Sequence, residues 1–432
     1  MTGERRAVAP DGPGVTAGGR EVPETPLSRN RDYRLLWGSQ ALSEFGFHAT
    51  MIAFPLLVLA LTGSGAASGL VMGTIAAAQM VAGLPAGVLA DRYDRKTIML
   101  VCEGAQTVSA VSLAVAVWTG TATVAHMVAV AAVFGACAAL FEPAESASLP
   151  ALVTDAQLPT AVAMNTARAS MGQLSGTATG GFLFAAGRFV PFLADAVTHA
   201  VSFTALLFLR LPRRERPAGP APHPGREVLD GLRWVWRERP IRVTVLCAIV
   251  LNLFFSAFYI VVVVLAGTRG VPSGEVGVMA AMLGAGGLVG ALVAPAWHRR
   301  LGPYRAIVAV FWALALLTPV TVVVRDGYLT GVLFALMALF PPTANTAIMT
   351  DQLLRTPDAL RGRLTSVLVL ACGAAGAAGP ALGGLLTEVL PGDGAILVCS
   401  AGITVAAVLA TAGPTLRGMS RGRPEKEEPE DS

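Results

Sequence analysis

The stretch Gly83-Leu-Pro-Ala-Gly87-Val-Leu-Ala-Asp91-Arg92-Tyr-Asp94-Arg95-Lys96 joins two long apolar runs through a short cluster of charges. Five charged residues lie within positions 91–96. Each flanking run is long enough for a helix to cross a hydrocarbon core of about 30 Å, which takes roughly 20 residues. The pattern therefore predicts two membrane-spanning helices joined by a charged loop. The loop either only fixes topology by its positive charge or also acts as a conformational latch.

The composition extends this interpretation to the whole chain. Of the 432 residues, 54% are hydrophobic and 14% are charged, whereas soluble domains have about 25% charged residues. Apolar runs of about 20 residues recur, instead of the alternating segments of about 10 that a membrane β-barrel needs. The predicted fold class is an all-α integral membrane protein. Five cysteines lie in these runs without the spacing of a metal site, and we interpret them as small buried hydrophobes: Cys102, Cys137, Cys247, Cys372 and Cys399.

The chain divides into five segments. We predict disordered tails at 1–30 and 416–432, six-helix bundles at 31–211 and 241–415, and a linker at 212–240. Residues 1–30 lack the apolar core of a signal peptide. The linker begins rich in proline and ends in an amphipathic piece with Trp234 and Trp236. Because tryptophan favours the headgroup layer, we expect a short interfacial helix there.

Twelve apolar runs put both termini on the same side of the membrane. The tails and loops of that side hold 28 of the 32 lysines and arginines. The opposite loops hold Arg188, Arg269 and Arg325, and Arg168 lies within a helix. Because positively charged loops stay in the cytoplasm, both termini are predicted to be cytoplasmic. Arginine outnumbers lysine thirty to two, which favours a bacterial source and hence the bacterial inner membrane.

An internal repeat relates the two halves of the chain. Gly87 and Gly290 are 203 residues apart, and the pairs Gly180-Gly181 and Gly383-Gly384 share the same offset. Two landmarks with one offset predict two related six-helix units. A parallel duplication of this kind is typical of a large class of secondary transporters.

Several short motifs carry a resemblance to a known family. They are Asp32-Tyr-Arg34-Leu-Leu-Trp37, Pro55-Leu-Leu-Val-Leu, Phe141-Glu-Pro143-Ala144, Leu149-Pro150-Ala-Leu-Val153, Ala194-Asp195-Ala196 and Leu360-Arg361-Gly362-Arg363. With them, the chain resembles the major facilitator superfamily over about residues 31–415, and within it the drug-exporter branch that includes macrolide efflux pumps and the enterobactin exporter. The resemblance implies twelve helices in two pseudo-symmetric six-helix bundles, and transport by alternating access.

The stretch between helices 2 and 3 is similar to a signature of that superfamily. The resemblance assigns a latch role to Gly87, Asp91, Arg92, Asp94, Arg95 and Lys96. It also implies that Asp91 lies against residues 363–366, at the start of helix 11, when the transporter faces outward. The counterpart loop at 297–305 keeps the basic charge but has no acid. Because topology needs only the basic residues, the two aspartates call for a further role.

The motifs of enzymes and ATP-driven pumps are missing from the sequence. A phosphate-binding loop needs a lysine after glycine, but Lys96 follows Arg95 and Lys426 follows Glu425. Neither HExxH nor GxSxG occurs. We therefore predict no enzyme activity, no cofactor and no metal, and we expect an ion gradient to drive transport, with protons as the leading candidate.

Ionisable groups within the membrane are the candidates for coupling, because a charge there costs roughly 2.5–3.5 kcal/mol on insertion scales. Glu44 and His48 lie four residues apart on one face of helix 1, near the midplane. Asp195 and His199 form a second such pair in helix 6. Each pair is a candidate for proton coupling, and the alternative is a structural hydrogen bond to a neighbouring helix.

Three further residues complete the candidate coupling set. Glu142 and Glu145 in helix 4 lie at a depth similar to that of Arg168 in helix 5, which predicts two acids around one base. Such a cluster is either a fixed tie between helices or a proton-sensitive gate. Glu103 and Glu388 lie close to predicted helix ends, so we expect them to reach the interface.

The predicted substrate cavity is mostly apolar. Its candidate residues are Met51, Phe54, Asn252, Phe255 and Tyr259. Asn252 is the only strong hydrogen-bonding group among them. Such a wall suits a large amphipathic compound, including a cationic one, better than a sugar.

The leading hypothesis is a proton-coupled antiporter that exports a hydrophobic drug or natural product. A siderophore or metabolite exporter is the alternative, and a non-transporting membrane sensor is a remote one. The expected partners are a small-molecule substrate, protons and the lipid bilayer, with no nucleic acid and a monomeric state. Helix 5 has Gly176-Thr177 where the superfamily's antiporter signature has Gly-Pro, so the export direction depends on the resemblance to the branch.

Overall fold

A computed structural model describes residues 26–211, 232–345, 348, 356, 358–390 and 393–412. The predicted C-terminal tail, nearly all of the predicted N-terminal tail and most of the linker lie outside these residues. The described residues form helices joined by short turns. Long helices follow directly from the apolar runs, because only a helix satisfies all of its backbone hydrogen bonds within a single membrane-spanning segment.

Six helices form the first half of the chain. They are α1 (Arg31–Thr62), α2 (Gly65–Arg92), α3 (Arg95–Trp118), α4 (Val124–Ser148), α5 (Leu158–Ala186) and α6 (Val190–Phe208). The first four begin after a residue whose side chain accepts a hydrogen bond from the first turn, which is a preferred way to start a helix. These capping residues are Asn30, Ser64, Asp94 and Thr123.

Five long α-helices and shorter helical turns are described in the second half. The five long helices are α7 (Arg239–Thr268), α8 (Ser273–Leu317), α9 (Gly327–Leu339), α10 (Asp358–Val389) and α11 (Gly394–Ala412). A helical turn at 232–237 precedes α7, within the predicted interfacial helix, and its exposed Trp236 ring lies 5.8 Å from the Arg242 guanidinium. Helix α9 ends before Pro341-Pro342, because proline cannot donate a backbone hydrogen bond.

Residues 297–305 were predicted to form a loop, and this prediction was wrong because the residues are helical and belong to α8. A straight helix of 45 residues would be about 67 Å long. Met279 near its start and Thr321 just beyond its end nevertheless line the same small pocket. Helix α8 therefore turns back on itself and supplies two spans, Ser273–Ala294 and Tyr304–Val322.

Eleven segments of the described chain are long and apolar enough to cross a membrane. Helix α5 is not among them. It has 29 residues but includes the polar Asn165, Arg168 and Gln173. Because α5 packs along the membrane helices α1 and α8, it is the twelfth crossing. The predicted all-α fold with twelve membrane helices is confirmed.

The helices pack into two bundles, each with its own main apolar clusters. Helices α1–α6 surround two apolar clusters, one around Phe54 and Phe134 and the other around Met99 and Leu206. Helices α7–α11 surround a larger cluster that contains Phe258, and Ile52 and Leu56 of α1 also belong to it. Close packing of these apolar side chains holds each bundle together and leaves the space between the bundles for a site.

The glycine pairs of the internal repeat make equivalent contacts in the two bundles. A methyl group at Gly180 would overlap the backbone of Ala49 in α1, and one at Gly383 would overlap the backbone of Ala257 in α7. The neighbouring glycines face across the bundles: Gly181 contacts the start of α8, and Gly384 contacts the start of α2. The equivalence supports the predicted pseudo-symmetry, and it shows why small residues recur at this offset.

The two bundles meet along α2 with α10 and along α5 with α8. We define the terminal face as the side where α1 begins, and the opposite face as the side where α2 begins. Gly65, Gly69 and Gly73 pack α2 tightly against α10, from the opposite face towards the middle. Further along α2, a methyl group at Gly83 or Gly87 would meet no described atom of the second bundle within 4 Å. The glycine contacts thus close the opposite face.

Candidate functional site

A central cavity of about 560 Å³ lies between the two bundles. Three of the predicted cavity residues line it: Met51 from α1, and Phe255 and Tyr259 from α7. The other walls come from α2, α5, α8 and α10. A volume of this size suits a drug-sized organic molecule, since such sites typically measure about 300–1,000 Å³.

Two of the predicted cavity residues lie elsewhere, so those predictions were wrong. Phe54 is fully buried in the core of the first bundle, where its ring packs against Phe134 and Phe192. Asn252 is exposed, and its side-chain amide donates to the carbonyl of Ala248 in its own helix. The Phe54 error is one of helical phase, because the correct helix was chosen and the wrong face was assumed. Asn252 lies one turn before Phe255 on the same face of α7, so its error is one of depth along the helix.

The polar groups of the cavity come mainly from α5, which was not predicted to line it. Ser170, Gln173 and Thr177 lie on this wall, together with His48 from α1 and Ser256 from α7. The polarity of α5 was the signal that would have found them, since a membrane helix with this many polar residues turns some of them to an aqueous cavity.

An ionic cluster of Glu44, Arg168 and Glu145 joins α1, α5 and α4. Arg168 is only 4% exposed and donates two hydrogen bonds to Glu145, at 2.6 and 3.0 Å. It also donates to both oxygens of Glu44, at 3.1 and 3.3 Å. Paired geometry on both sides suits the planar guanidinium. The contacts to Glu44 are the longer ones, and the Glu44 side chain is 23% exposed.

The cluster was predicted with Glu142 as its second acid, and this was wrong. Glu142 is exposed, whereas Glu145, three residues further along α4, faces Arg168. Glu44 takes the second place because α1 and α5 approach closely at Gly172, where any side chain would overlap Glu44. His48 lies one turn beyond Glu44 and lines the cavity. The two residues predicted as a pair therefore have different environments: Glu44 belongs to the ionic cluster, and His48 lines the cavity.

A second buried cluster lies between α3, α6 and α1. The His199 Nδ1 atom is 2.6 Å from Glu103 Oε2, and its Nε2 atom is 3.3 Å from Asp195 Oδ1. The predicted Asp195–His199 pair is thus within ion-pair distance. The prediction that Glu103 reaches the interface was wrong, because Glu103 is 1% exposed. Helix α3 begins at Arg95 rather than 98, so Glu103 lies deeper than the predicted boundary implied.

The charged loop between α2 and α3 is held by several local bonds. The Asp94 side chain caps α3 by accepting from the backbone N–H and the hydroxyl of Thr97. Lys96 donates to the carbonyls of Leu207 and Leu209 at the end of α6. Asp91 lies 4.0 Å from Arg95. Arg92 is exposed, and a methyl group at Gly87 would meet no described atom within 4 Å. The side chains at 363, 365 and 366, against which Asp91 was expected to lie, fall outside the described residues.

A drug-sized cavity between two six-helix bundles, with ionisable clusters buried in the first bundle, defines a multi-pass membrane transporter. Residues 23–424 match the family described as transmembrane secretion effector. The chain belongs to this family and is an efflux transporter of the major facilitator superfamily.

The chain is similar to two exporters of known name. The multidrug efflux pump Tap of Mycobacterium tuberculosis is 26% identical over 399 residues, which cover 87% of this chain and 91% of Tap. The enterobactin exporter EntS of Shigella boydii serotype 18 is 25% identical over 266 residues, which cover 62% of this chain and 64% of EntS.

Two solved structures share the fold. The nucleoside transporter NupG aligns with a TM-score of 0.71 and 14% identity, covering 90% of this chain and 99% of NupG. A bacterial homologue of the human lysosomal transporter Spinster, in an inward-facing and unoccupied conformation, aligns with a TM-score of 0.70 and 15% identity, covering 92% and 99%. At these identities the likeness establishes the fold alone.

Proposed function

We propose that this protein is a proton-coupled antiporter that exports a hydrophobic, amphipathic compound by alternating access of the central cavity. The observation that carries the proposal is the cavity itself. Met51, Phe255 and Tyr259 give it an apolar wall, and His48 and Gln173 add a few polar groups. This lining favours a drug-like molecule over a sugar, which needs many hydrogen-bonding partners.

The proposed direction is outward, from the cytoplasm of a bacterial cell. The basic residues of the tails and loops favour a cytoplasmic terminal face in the inner membrane. The bundles pack tightly at the opposite face, around Gly65 and Gly69, so the cavity in this state would receive its substrate from the cytoplasm. A single chain contains both bundles, which supports function as a monomer.

The proposed coupling site is the cluster of Glu44, Arg168 and Glu145. Two ionised carboxylates and one guanidinium leave a net charge of −1, which burial makes unfavourable. A proton on one acid removes that charge. Glu44 is the acid for this role because its bonds to Arg168 are longer and its side chain is more exposed than that of Glu145. Release of Glu44 from Arg168 would loosen the contact between α1 and α5.

The relatives support export of a drug-like compound, since Tap is a multidrug efflux pump. The other relative, EntS, is an enterobactin exporter. Siderophore export is therefore the alternative function. One experiment distinguishes the two functions. Purified protein in proteoliposomes is given hydrophobic dyes or siderophores under an imposed pH gradient, and uptake of each compound is measured. Uptake of siderophores but not of dyes would contradict drug export and support siderophore export.

Drug accumulation in a host that lacks its own pumps tests the coupling. Cells with the wild type should keep a fluorescent drug out until an uncoupler is added, and cells with Glu44→Gln should accumulate it at equal protein levels. Glu142→Gln is the matched control, because it changes an exposed acid outside the cluster. Full efflux by Glu44→Gln would show that Glu44 is not needed for coupling. Wild-type efflux that continues after addition of the uncoupler would contradict proton coupling.

A further inference from the structure

The cluster of Glu103, His199 and Asp195 lies inside the first bundle, on the side of α1 away from the cavity. Glu103 comes from α3, and the other two come from α6. All three are almost completely buried, with exposed fractions of 1%, 3% and 0%. The coupling proposed above leaves this cluster without a role.

The carboxyl group of Glu103 has the bonding of an ionised acid. It accepts from the Gln40 amide at 2.8 Å, from the Ser202 hydroxyl at 2.9 Å and from the Ser43 hydroxyl at 3.3 Å. The His199 Nδ1 atom lies 2.6 Å from its other oxygen and is the donor there, since an ionised carboxylate only accepts. Both oxygens therefore accept, which is the bonding pattern of a carboxylate rather than of a protonated acid, where one oxygen donates.

The carboxyl group of Asp195 has the opposite environment. It is fully buried, and neither oxygen has a hydrogen-bond partner among the described residues. His199 Nε2 is 3.3 Å from Oδ1 without a hydrogen bond between them, and the nearby Thr50 hydroxyl is also unpaired. A buried carboxylate without donors is so costly that the group takes up a proton instead.

Among the described residues, the groups that face this cluster from the packed helices supply no further positive charge. Helix α1 contributes the neutral Gln40, Ser43 and Thr50, and α4 contributes the thiol of Cys137 and the ring of Phe134. His199 is the basic group that contacts both acids. With Glu103 ionised, a second charge on Asp195 would leave two buried carboxylates to share one imidazole.

We propose that Asp195 is a proton-binding site, linked through His199 to an ionised Glu103. In this arrangement, the Asp195 hydroxyl faces His199 Nε2, and Nδ1–H donates to Glu103. Transfer of the Asp195 proton to Nε2 moves a positive charge onto His199, and transfer of both protons moves the negative charge from Glu103 to Asp195, in each case without any change in the number of protons bound. The site goes beyond the proposed function, since a proton on Asp195 does not require that the Glu44 cluster drives transport.

Infrared spectroscopy of the full-length protein in lipid tests this site directly, because a protonated carboxyl group has a C=O stretch well separated from that of a carboxylate. The wild-type spectrum at neutral pH should contain such a band. It should be lost in Asp195→Asn and kept in Glu142→Gln. A wild-type spectrum without the band, or an unchanged band in Asp195→Asn, would overturn the proposal.

A second variant covers the case in which Asp195→Asn does not fold. Thr50→Val has nearly the same shape as the native residue and leaves the carboxyl in place, but it removes the neighbouring hydroxyl. The band should persist and shift its position, because the C=O stretch responds to neighbouring hydroxyl groups. A band at the wild-type position in Thr50→Val would assign the proton to a carboxyl other than Asp195 and would overturn the proposal as well.

Discussion

Glu388 at the end of α10 accepts hydrogen bonds from the Ser64 hydroxyl and from the backbone N–H of Ala66 at the start of α2, so a side chain of one bundle caps a helix of the other. The contact lies at the opposite face, where Gly65 also meets α10. A carboxylate at a helix N-terminus is stabilised by the unpaired N–H groups and the helix dipole. This bond exists only while the bundles touch at this face, so it favours the state described here.

Removal of the Glu388 carboxylate should therefore shift the equilibrium towards an open opposite face. Spin labels at Leu61 and Val389, which are exposed and lie on different bundles, would measure the opening. We expect Glu388→Ala to raise the open population by about twofold to fivefold, a modest change because the group is exposed and screened. Glu388→Gln keeps the acceptor and should give a smaller change. An unchanged distance distribution in Glu388→Ala would show that the bond does not bias the equilibrium.

Substitutions at two glycines should have different effects. A side chain at Gly69 would overlap the backbone of Pro380 in the other bundle, whereas one at Gly180 would overlap Ala49 within its own bundle. Gly69→Val should leave the protein folded but prevent closure of the opposite face and so abolish transport. Gly180→Val should lower the amount of folded protein in the membrane. Gly38→Ala is the control, because it meets no described atom within 4 Å, and equal protein levels for all three variants would contradict the distinction.

Substitutions of the two aspartates in the charged loop should also have different effects. Asp94 caps α3, so Asp94→Ala should cost about 0.5–2 kcal/mol of stability, measured as a lower melting temperature. Asp91 has no such capping role. We expect Asp91→Asn to lower transport at an unchanged amount of protein, as the family resemblance implies. Equal transport by Asp91→Asn and the wild type would leave the loop with a topological role alone.

Substitutions of Phe54 and Tyr259 test which of these residues lines the cavity. Tyr259 lines it, so Tyr259→Ala should change which drugs are exported, measured as a change in the pattern of drug susceptibility. Phe54 is fully buried in the core, and Phe54→Ala should destabilise the protein by about 3–5 kcal/mol. A change of drug pattern in Phe54→Ala at normal stability would restore the original prediction that this residue faces the substrate.

The sequence predicted the helices well because length and hydropathy determine membrane spans. It also identified Arg168 and Asp195 as buried charges, since each stands out in an apolar run. It could not assign the partners of these residues. Glu44 rather than Glu142 pairs with Arg168 because of a close approach at Gly172, and Glu103 joins His199 because α3 starts earlier than predicted. Both depend on the rotation and depth of neighbouring helices, which no local pattern encodes.

The polarity of α5 has a consequence for how the chain is made. Arg168 lies in a helix too polar to count as a membrane span on its own, and both of its acidic partners, Glu44 and Glu145, are synthesised before it. When α5 leaves the ribosome, the membrane already contains two carboxylates that favour its arginine over water. Earlier helices can therefore recruit α5 into the bilayer, so that insertion of one segment depends on the tertiary structure of those before it.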